Sequence, residues 1–353
     1  MLNKVFLIAI LIGFPLSVAG SLLHWSPLVM FVIYCVTIVA IAAYMGEATE
    51  SLSIIAGPRI GGLFNATFGN AVELIIAIFA LQEGLITVVL ASMTGSVIGN
   101  LLLVGGLSFF VGGLRYKRQK FNVYDARHNS GLLVFAVIVA FIFPKVFAAE
   151  ISENDAFLLS IWIAAIMIVL YMAALFFKLV THRGVYKSKE ENEAVETKEE
   201  AKWGLWKSII ILAVLTAAVA YVSENLVHTF EDVGKAFGWS EVFIGVIIVA
   251  IVGNAAEHAS AIIMAYKNRM GVAQEIAIGS TLQIAMFVAP LLVLISLLFE
   301  QPMPLLFTVP ELVSMVLGVL LTVIIINDAD TNWFEGATLM AAYLIMGIGF
   351  YML

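Results

Sequence analysis

Two stretches of this chain repeat one another at a fixed offset of 184 residues: GNAVELIIAIFA from Gly69 and GNAAEHASAIIM from Gly253. The same offset carries Gly95 and Ser96 onto Gly279 and Ser280, and nine of the thirty-two positions from 69 to 100 match their partners without a gap. Roughly three matches would arise by chance in a chain this apolar. Repetition at one long offset signals a duplicated architecture. Each copy sets one Asn and one Glu inside an apolar run, where a carboxylate is costly and therefore marks function.

The apolar runs are long enough to cross a bilayer. Of 353 residues, 62% are hydrophobic and 12% charged, about half the charge of a soluble domain. Runs of bilayer-spanning length fall at 5–22, 28–47, 61–82, 85–112, 130–148, 156–180, 206–226, 240–266, 272–299, 309–326 and 334–353. The frequent glycines disfavour alternating strands, so the pattern predicts an all-α integral membrane protein of about eleven transmembrane helices, not a barrel. Lys4, an apolar core and SVAG at 17–20 resemble a signal peptide; the segment is read as a retained first span. With the N-terminus in the cytoplasm, sixteen of the eighteen Lys and Arg fall in inner loops, leaving out only Lys145 and Lys235. That bias predicts a multi-pass plasma-membrane protein with a cytoplasmic N-terminus. All six Trp lie near span ends, as an aromatic belt requires. Cys35 is the single cysteine, which excludes a disulfide or a thiolate metal centre.

The one extended polar segment, KSKEENEAVETKEEAK at 187–202, sets six Glu against four Lys in a chain of net charge −7. This segment divides the chain into an N-terminal helix (1–24), a first five-helix repeat (25–184), an acidic cytoplasmic linker (185–203) and a second five-helix repeat (204–353). Glu190, Glu191, Glu193, Glu196, Glu199 and Glu200 are candidates for a cation-collecting or regulatory role, against the plainer reading of a solvated tether. Because five is odd, successive five-helix blocks insert in opposite directions. Inverted repeats of this kind are common in secondary transporters, which bind their substrate near the midplane.

Each motif opens on helix-weakening residues: Gly61, Gly62, Asn65, Gly69 and Asn70 in the first copy, and Gly245, Gly253 and Asn254 in the second. Glycine inside a helix costs about 1 kcal/mol relative to alanine, so broken helices are expected, together with close packing through small residues. Asn70 and Glu73 are three residues apart, as are Asn254 and Glu257, and each pair shares a helix face. Two such faces at the bilayer centre supply two carboxylates and two amide oxygens, which with backbone carbonyls and water suit Ca²⁺. Ser96, Ser280 and Gln283 fall at matching depth as supporting donors or as polar links between helices. His258 is either a further proton carrier or an interhelical hydrogen-bonding residue. Glu47, Glu50, Glu83 and Glu224 lie near span ends and are read as interfacial. Two carboxylates in a low-dielectric site are neutralised by one Ca²⁺ or by two protons, so the two ions exclude one another. If only the neutral site reorients, exchange is obligatory.

The residues GGLFNATFGNAVELIIAIFAL from Gly61 with GSVIGNLLLVGG from Gly95, and GNAAEHASAIIMA from Gly253 with GSTLQIAMF from Gly279, resemble the Ca²⁺/H⁺ antiporters of the cation/Ca²⁺ exchanger superfamily. The resemblance extends over nearly the whole chain and is greatest for bacterial members. It implies that Glu73 and Glu257 are the shared ion and proton sites, assisted by Asn70 and Asn254, and that an extra first span and an acidic linker accompany the repeats. Relatives coupled to Na⁺ carry Ser/Thr- and Pro-containing stretches before the acidic residue; FGNAVE and VGNAAE here point to protons.

Other classes fit less well. Glu257–His258 lacks the second His of a zinc-protease HExxH, and no phosphate-binding GxxxxGK[ST] loop is present. A cation channel would arrange its charges in a ring around a pore. A related Na⁺-coupled or other divalent-cation exchanger is the nearer alternative. No enzymatic activity, cofactor or nucleic-acid partner is expected; Ca²⁺, H⁺ and the lipid bilayer are the partners, and a homo-oligomer stays open.

Overall fold

In a bilayer the backbone must satisfy its own amides, and an apolar run does so as a helix. In the computed structural model of the chain, which describes residues 2–182 and 201–353, helices follow one another with short connections. They are α1 (Leu2–Leu22), α2 (Pro27–Phe68), α3 (Ala71–Gln82), α4 (Ile86–Tyr116), α5 (Ala126–Ala148), α6 (Glu153–Thr181), α7 (Leu205–His228) and α8 (Phe230–Phe237). There follow α9 (Glu241–Gly253), α10 (Ala255–Tyr266), α11 (Met270–Ser296), α12 (Val309–Ile326) and α13 (Trp333–Met352). Among the described residues, nine helices are long and apolar enough to cross a membrane, and the pair α8–α9, bent by 115°, makes a tenth.

The difference from eleven continuous spans lies where the repeated motifs fall. The expected span 61–82 is the end of α2 followed by α3, parted at Gly69 and Asn70; the expected span 240–266 is α9 followed by α10, parted at Asn254. The second span also runs further than its polar residues suggest, from Pro27 to Gly57. Thr49 and Ser51 return hydrogen bonds to Met45 O and Glu47 O, each at 2.9 Å, and Lys202 pairs with Glu47 at 2.6 Å. Their polarity is thus absorbed within the helix and by the chain beyond the linker. The helix breaks at Gly57, whose φ of 77° suits glycine. Across the break Ser53 Oγ donates to Gly61 O at 3.0 Å, and a side chain at Gly61 would collide with Ser53 O. The linker glutamates Glu190, Glu191, Glu193, Glu196, Glu199 and Glu200 lie outside the described residues.

Three motif-bearing helices contain a wide π turn, over Gly99–Val104 in α4, Ile244–Val249 in α9 and Ile284–Val288 in α11. In each, an N–H reaches the carbonyl five residues back: Gly105 to Asn100, Ala250 to Gly245, and Ala289 to Ile284. Such turns recur at functional sites because they shift the register of the side chains that follow.

The described chain forms two compact units. One takes the chain up to Ser92 and the stretch ending at Ala256; the other starts at Met93 and, after the linker, resumes at Glu257 and runs to Met352. In the first unit, α7 packs on α2 and α3, and Gly245 lets α9 approach the first turns of α4, where a Cβ would come within 2.6 Å of Val88 O. In the second, α13 lies against α4, with Gly336 seated on the backbone of Gly106 and Phe110. A two-stranded antiparallel ribbon pairs Gln119–Lys120 with Asp330–Thr331. Gln119 Nε2 also donates to Ala265 O (3.0 Å) and Asn268 Oδ1 (2.9 Å), and Arg118 pairs with Asp330. The connections after α4, α10 and α12 thus gather at one end of this unit.

Candidate functional site

The helix breaks position the repeated carboxylates. Asn70 has φ −99° and ψ 20°; Asn254 has φ −95° and ψ 7°. Both repeat-related residues therefore leave the helix in the same sparsely populated backbone region. A new helix begins at once, and Glu73 and Glu257 fall in the first turns of α3 and α10. The unbonded N–H groups and positive end of a helix dipole favour a carboxylate there. The break thus turns a costly intramembrane charge into one with local electrostatic support.

In the first unit, Glu73 is buried at 8% exposure and Asn254 at 2%. Asn254 Nδ2 donates to Glu73 Oε1 and also to Ala250 O at 2.8 Å. One amide from the second repeat therefore ties a carboxylate of the first to the end of a broken helix. A Cβ on Gly253 would approach Glu73 Cγ to 2.6 Å, so the glycine is what permits the two chain segments to come so close. Asn70 is buried in the same unit.

In the second unit, Ser280 Oγ donates to Glu257 Oε2 at 2.6 Å, and Asn100 Nδ2 donates to Ser280 Oγ at 3.0 Å. Ser280 and Asn100 are buried, and Asn100 Oδ1 makes no hydrogen bond among the described residues. Ser96 is buried one turn before Asn100, while Gln283 is half-buried at the entry to the π turn of α11. His258 Nε2 is buried and makes no hydrogen bond among the described residues. The oxygen-rich, sulfur-free donor set suits a hard cation. Of the expected interfacial carboxylates, Glu47 pairs with Lys202, Glu83 lies 3.9 Å from His228, and Glu224 is exposed.

Asn100 was not singled out by the repeat, because its counterpart 184 residues on is Ile284. The signal that marks it is a single amide inside an otherwise apolar span, which seldom goes without a partner. Removing the hydroxyl between Asn100 and Glu257 tests this chain of bonds. Ser280→Ala is expected to raise the Ca²⁺ concentration for half-maximal transport by about tenfold, since a hydrogen bond to a charged group contributes about 1.5–3 kcal/mol. An unchanged concentration dependence would show that Ser280 does not act through Glu257.

A multi-pass helical membrane protein built from two inverted repeats, each broken at an Asn that precedes a buried or half-buried glutamate, has the construction of a secondary transporter. The chain belongs to the sodium/calcium exchanger protein family, whose model matches residues 26–180 and 207–352. It is 66% identical over 354 residues to the Ca(2+)/H(+) antiporter ChaA of Bacillus subtilis, with 100% of both chains covered. It is 41% identical over 367 residues to a Ca(2+)/H(+) antiporter of Aphanothece halophytica, covering 99% of this chain and 98% of that one. The solved structure of native YfkE superposes with a TM-score of 0.87 at 62% identity, over 99% of this chain and 100% of its own.

Proposed function

We propose that this protein is a Ca²⁺/H⁺ antiporter that exports Ca²⁺ from the cytosol across the plasma membrane, with its N-terminus in the cytoplasm. Two full-length relatives named as such support the reading, and so does the positive bias of one set of loops. The observation that carries the mechanism is that each repeat-related glutamate begins a helix at a break and accepts a hydrogen bond from a neutral donor, Asn254 for Glu73 and Ser280 for Glu257. A neutral donor orients a carboxylate without cancelling its charge, so the charge remains available to a transported cation.

In this mechanism Glu73 and Glu257 are the groups for which Ca²⁺ and protons compete. Ca²⁺ binding requires the ionised carboxylates; protonation neutralises them and releases it. Asn70 and Asn254 contribute amide oxygens or hold the carboxylates, and Ser280, which donates to Glu257, is the supporting donor in this reading together with Ser96, Gln283 and His258. The bare, doubly negative state is too poorly solvated to reorient, whereas the Ca²⁺-loaded and protonated states are neutral. Alternating access between those two states produces coupled exchange.

The test is ion flux in inverted membrane vesicles. Ca²⁺ uptake should require an inwardly acid pH gradient, stop when an ionophore collapses that gradient, and proceed without Na⁺. Uptake that requires a Na⁺ gradient assigns the protein to the Na⁺-coupled branch. Ca²⁺ uptake down its own gradient that moves no protons in return identifies a channel.

A further inference from the structure

Four basic side chains, Arg115, Lys117, Lys120 and Lys267, lie on two segments that are joined at the ribbon end of the second unit. Arg115 Nη1 donates to Tyr266 O at 3.1 Å, and its Cζ lies 4.2 Å from the centre of the Tyr266 ring and 5.2 Å from that of Tyr116. The bonds from Gln119 to Ala265 O and Asn268 hold the loop carrying Lys117 and Lys120 to the same helix end, which continues into Lys267. All four basic side chains are exposed. Among the described residues none of the four forms an ion pair, although Arg118 beside them pairs with Asp330 and Lys178 pairs with Glu275. The acidic side chains on the neighbouring loop are Asp328, Asp330 and Glu335, and Asp330 is engaged by Arg118. Immediately on the apolar side, Leu114 is 62% exposed and Tyr266 52% exposed.

We propose that this surface is a binding site for the phosphate of an anionic phospholipid in the leaflet at this end, the cytoplasmic one in the orientation given above. Three features fit that ligand together. The charge is complementary, since clustered Lys and Arg at the end of a transmembrane helix attract anionic headgroups. Its level matches, since Tyr rings lie at the membrane–water boundary. The geometry matches as well: the Tyr266 ring and carbonyl hold the Arg115 guanidinium in place, and its remaining N–H groups can take two phosphate oxygens side by side. Leu114 and the ring of Tyr266 supply an apolar flank for the acyl chains, which a free phosphate would leave uncovered. The insertion bias of basic loops explains why the charges lie on this side. It does not explain why Arg115 is stacked on a ring and, among the described residues, left without an acid.

The full chain, purified in detergent, should be titrated with phosphatidylglycerol, phosphatidylcholine and inorganic phosphate, and bound species counted by native mass spectrometry. Wild type should retain phosphatidylglycerol in preference to phosphatidylcholine. Each basic side chain near an anionic surface changes affinity about fivefold, so the double variant Arg115→Gln, Lys267→Gln should lower the preference about twentyfold. Tyr266→Ala leaves every charge and the insertion bias in place; loss of its ring contact should lower the preference about threefold. Equal retention of the two lipids by wild type overturns the proposal, as does an unchanged preference in the double variant or in Tyr266→Ala. Displacement of the lipid by equimolar inorganic phosphate also overturns it and assigns the site to free phosphate.

Discussion

Glu73→Gln and Glu257→Gln are each expected to abolish Ca²⁺/H⁺ exchange in protein that inserts and purifies normally. Glutamine matches glutamate in size and keeps an oxygen where Glu73 accepts from Asn254 and Glu257 accepts from Ser280. The hydrogen-bonded frame therefore survives while one charge is lost. One remaining carboxylate cannot neutralise Ca²⁺, so the loaded state keeps a net charge in a low-dielectric surrounding, where an uncompensated charge costs about 3–5 kcal/mol. That corresponds to at least a hundredfold loss of flux. Proton binding fails with it, because glutamine does not titrate. Radiolabelled Ca²⁺ uptake into vesicles driven by a pH gradient measures both. If either variant keeps more than about half of the wild-type flux, that glutamate is not a transported-ion site and the competition mechanism fails.

Much of this candidate site is legible in residue order because two independent regularities coincide. Apolar runs of bilayer length fix where helices lie, and the offset of 184 residues identifies Asn70, Glu73, Asn254 and Glu257 as corresponding positions. The Gly–Asn pairs at 69–70 and 253–254 also announced the breaks, since both residue types weaken a helix. What stayed hidden depends on contacts between distant segments. Asn100 has Ile284 as its repeat counterpart, and only the fold brings it to Ser280. The second span seemed to stop at Glu47, because neither the hydrogen bonds returned by Thr49 and Ser51 nor the pairing with Lys202 is written in local composition. The π turns share the apolar composition of the helices around them and carry no periodicity of their own. The ribbon at Gln119–Lys120 joins segments more than two hundred residues apart.

Gly253→Ala is expected to impair transport severely, while Gly279→Ala is expected to be nearly neutral. Both glycines belong to the duplicated pattern, yet their surroundings differ. A Cβ at position 253 would lie 2.6 Å from Glu73 Cγ and 3.6 Å from Glu73 Cα, whereas at position 279 it would meet nothing within 4 Å. The Glu73 methylene has little freedom to yield. Its backbone lies in the first turn of α3, and its carboxylate is held by Asn254, the residue next to the substitution. Overpacking of this kind costs about 1–3 kcal/mol, and the strain falls on the placement of one carboxylate relative to its amide. The half-saturating Ca²⁺ concentration should therefore rise about tenfold or more, with a fall in maximal rate, while the purified protein keeps its helical content. Gly279→Ala sits in open space within α11 and gains up to about 1 kcal/mol of helix propensity, so its transport curve should overlay that of wild type. The pair separates a steric role from a purely conformational one. If the break alone required glycine, alanine at 253 would act through the backbone and leave the Ca²⁺ dependence unchanged once the protein had folded. A shift in that dependence confined to the 253 variant identifies contact with Glu73 as the reason for the residue.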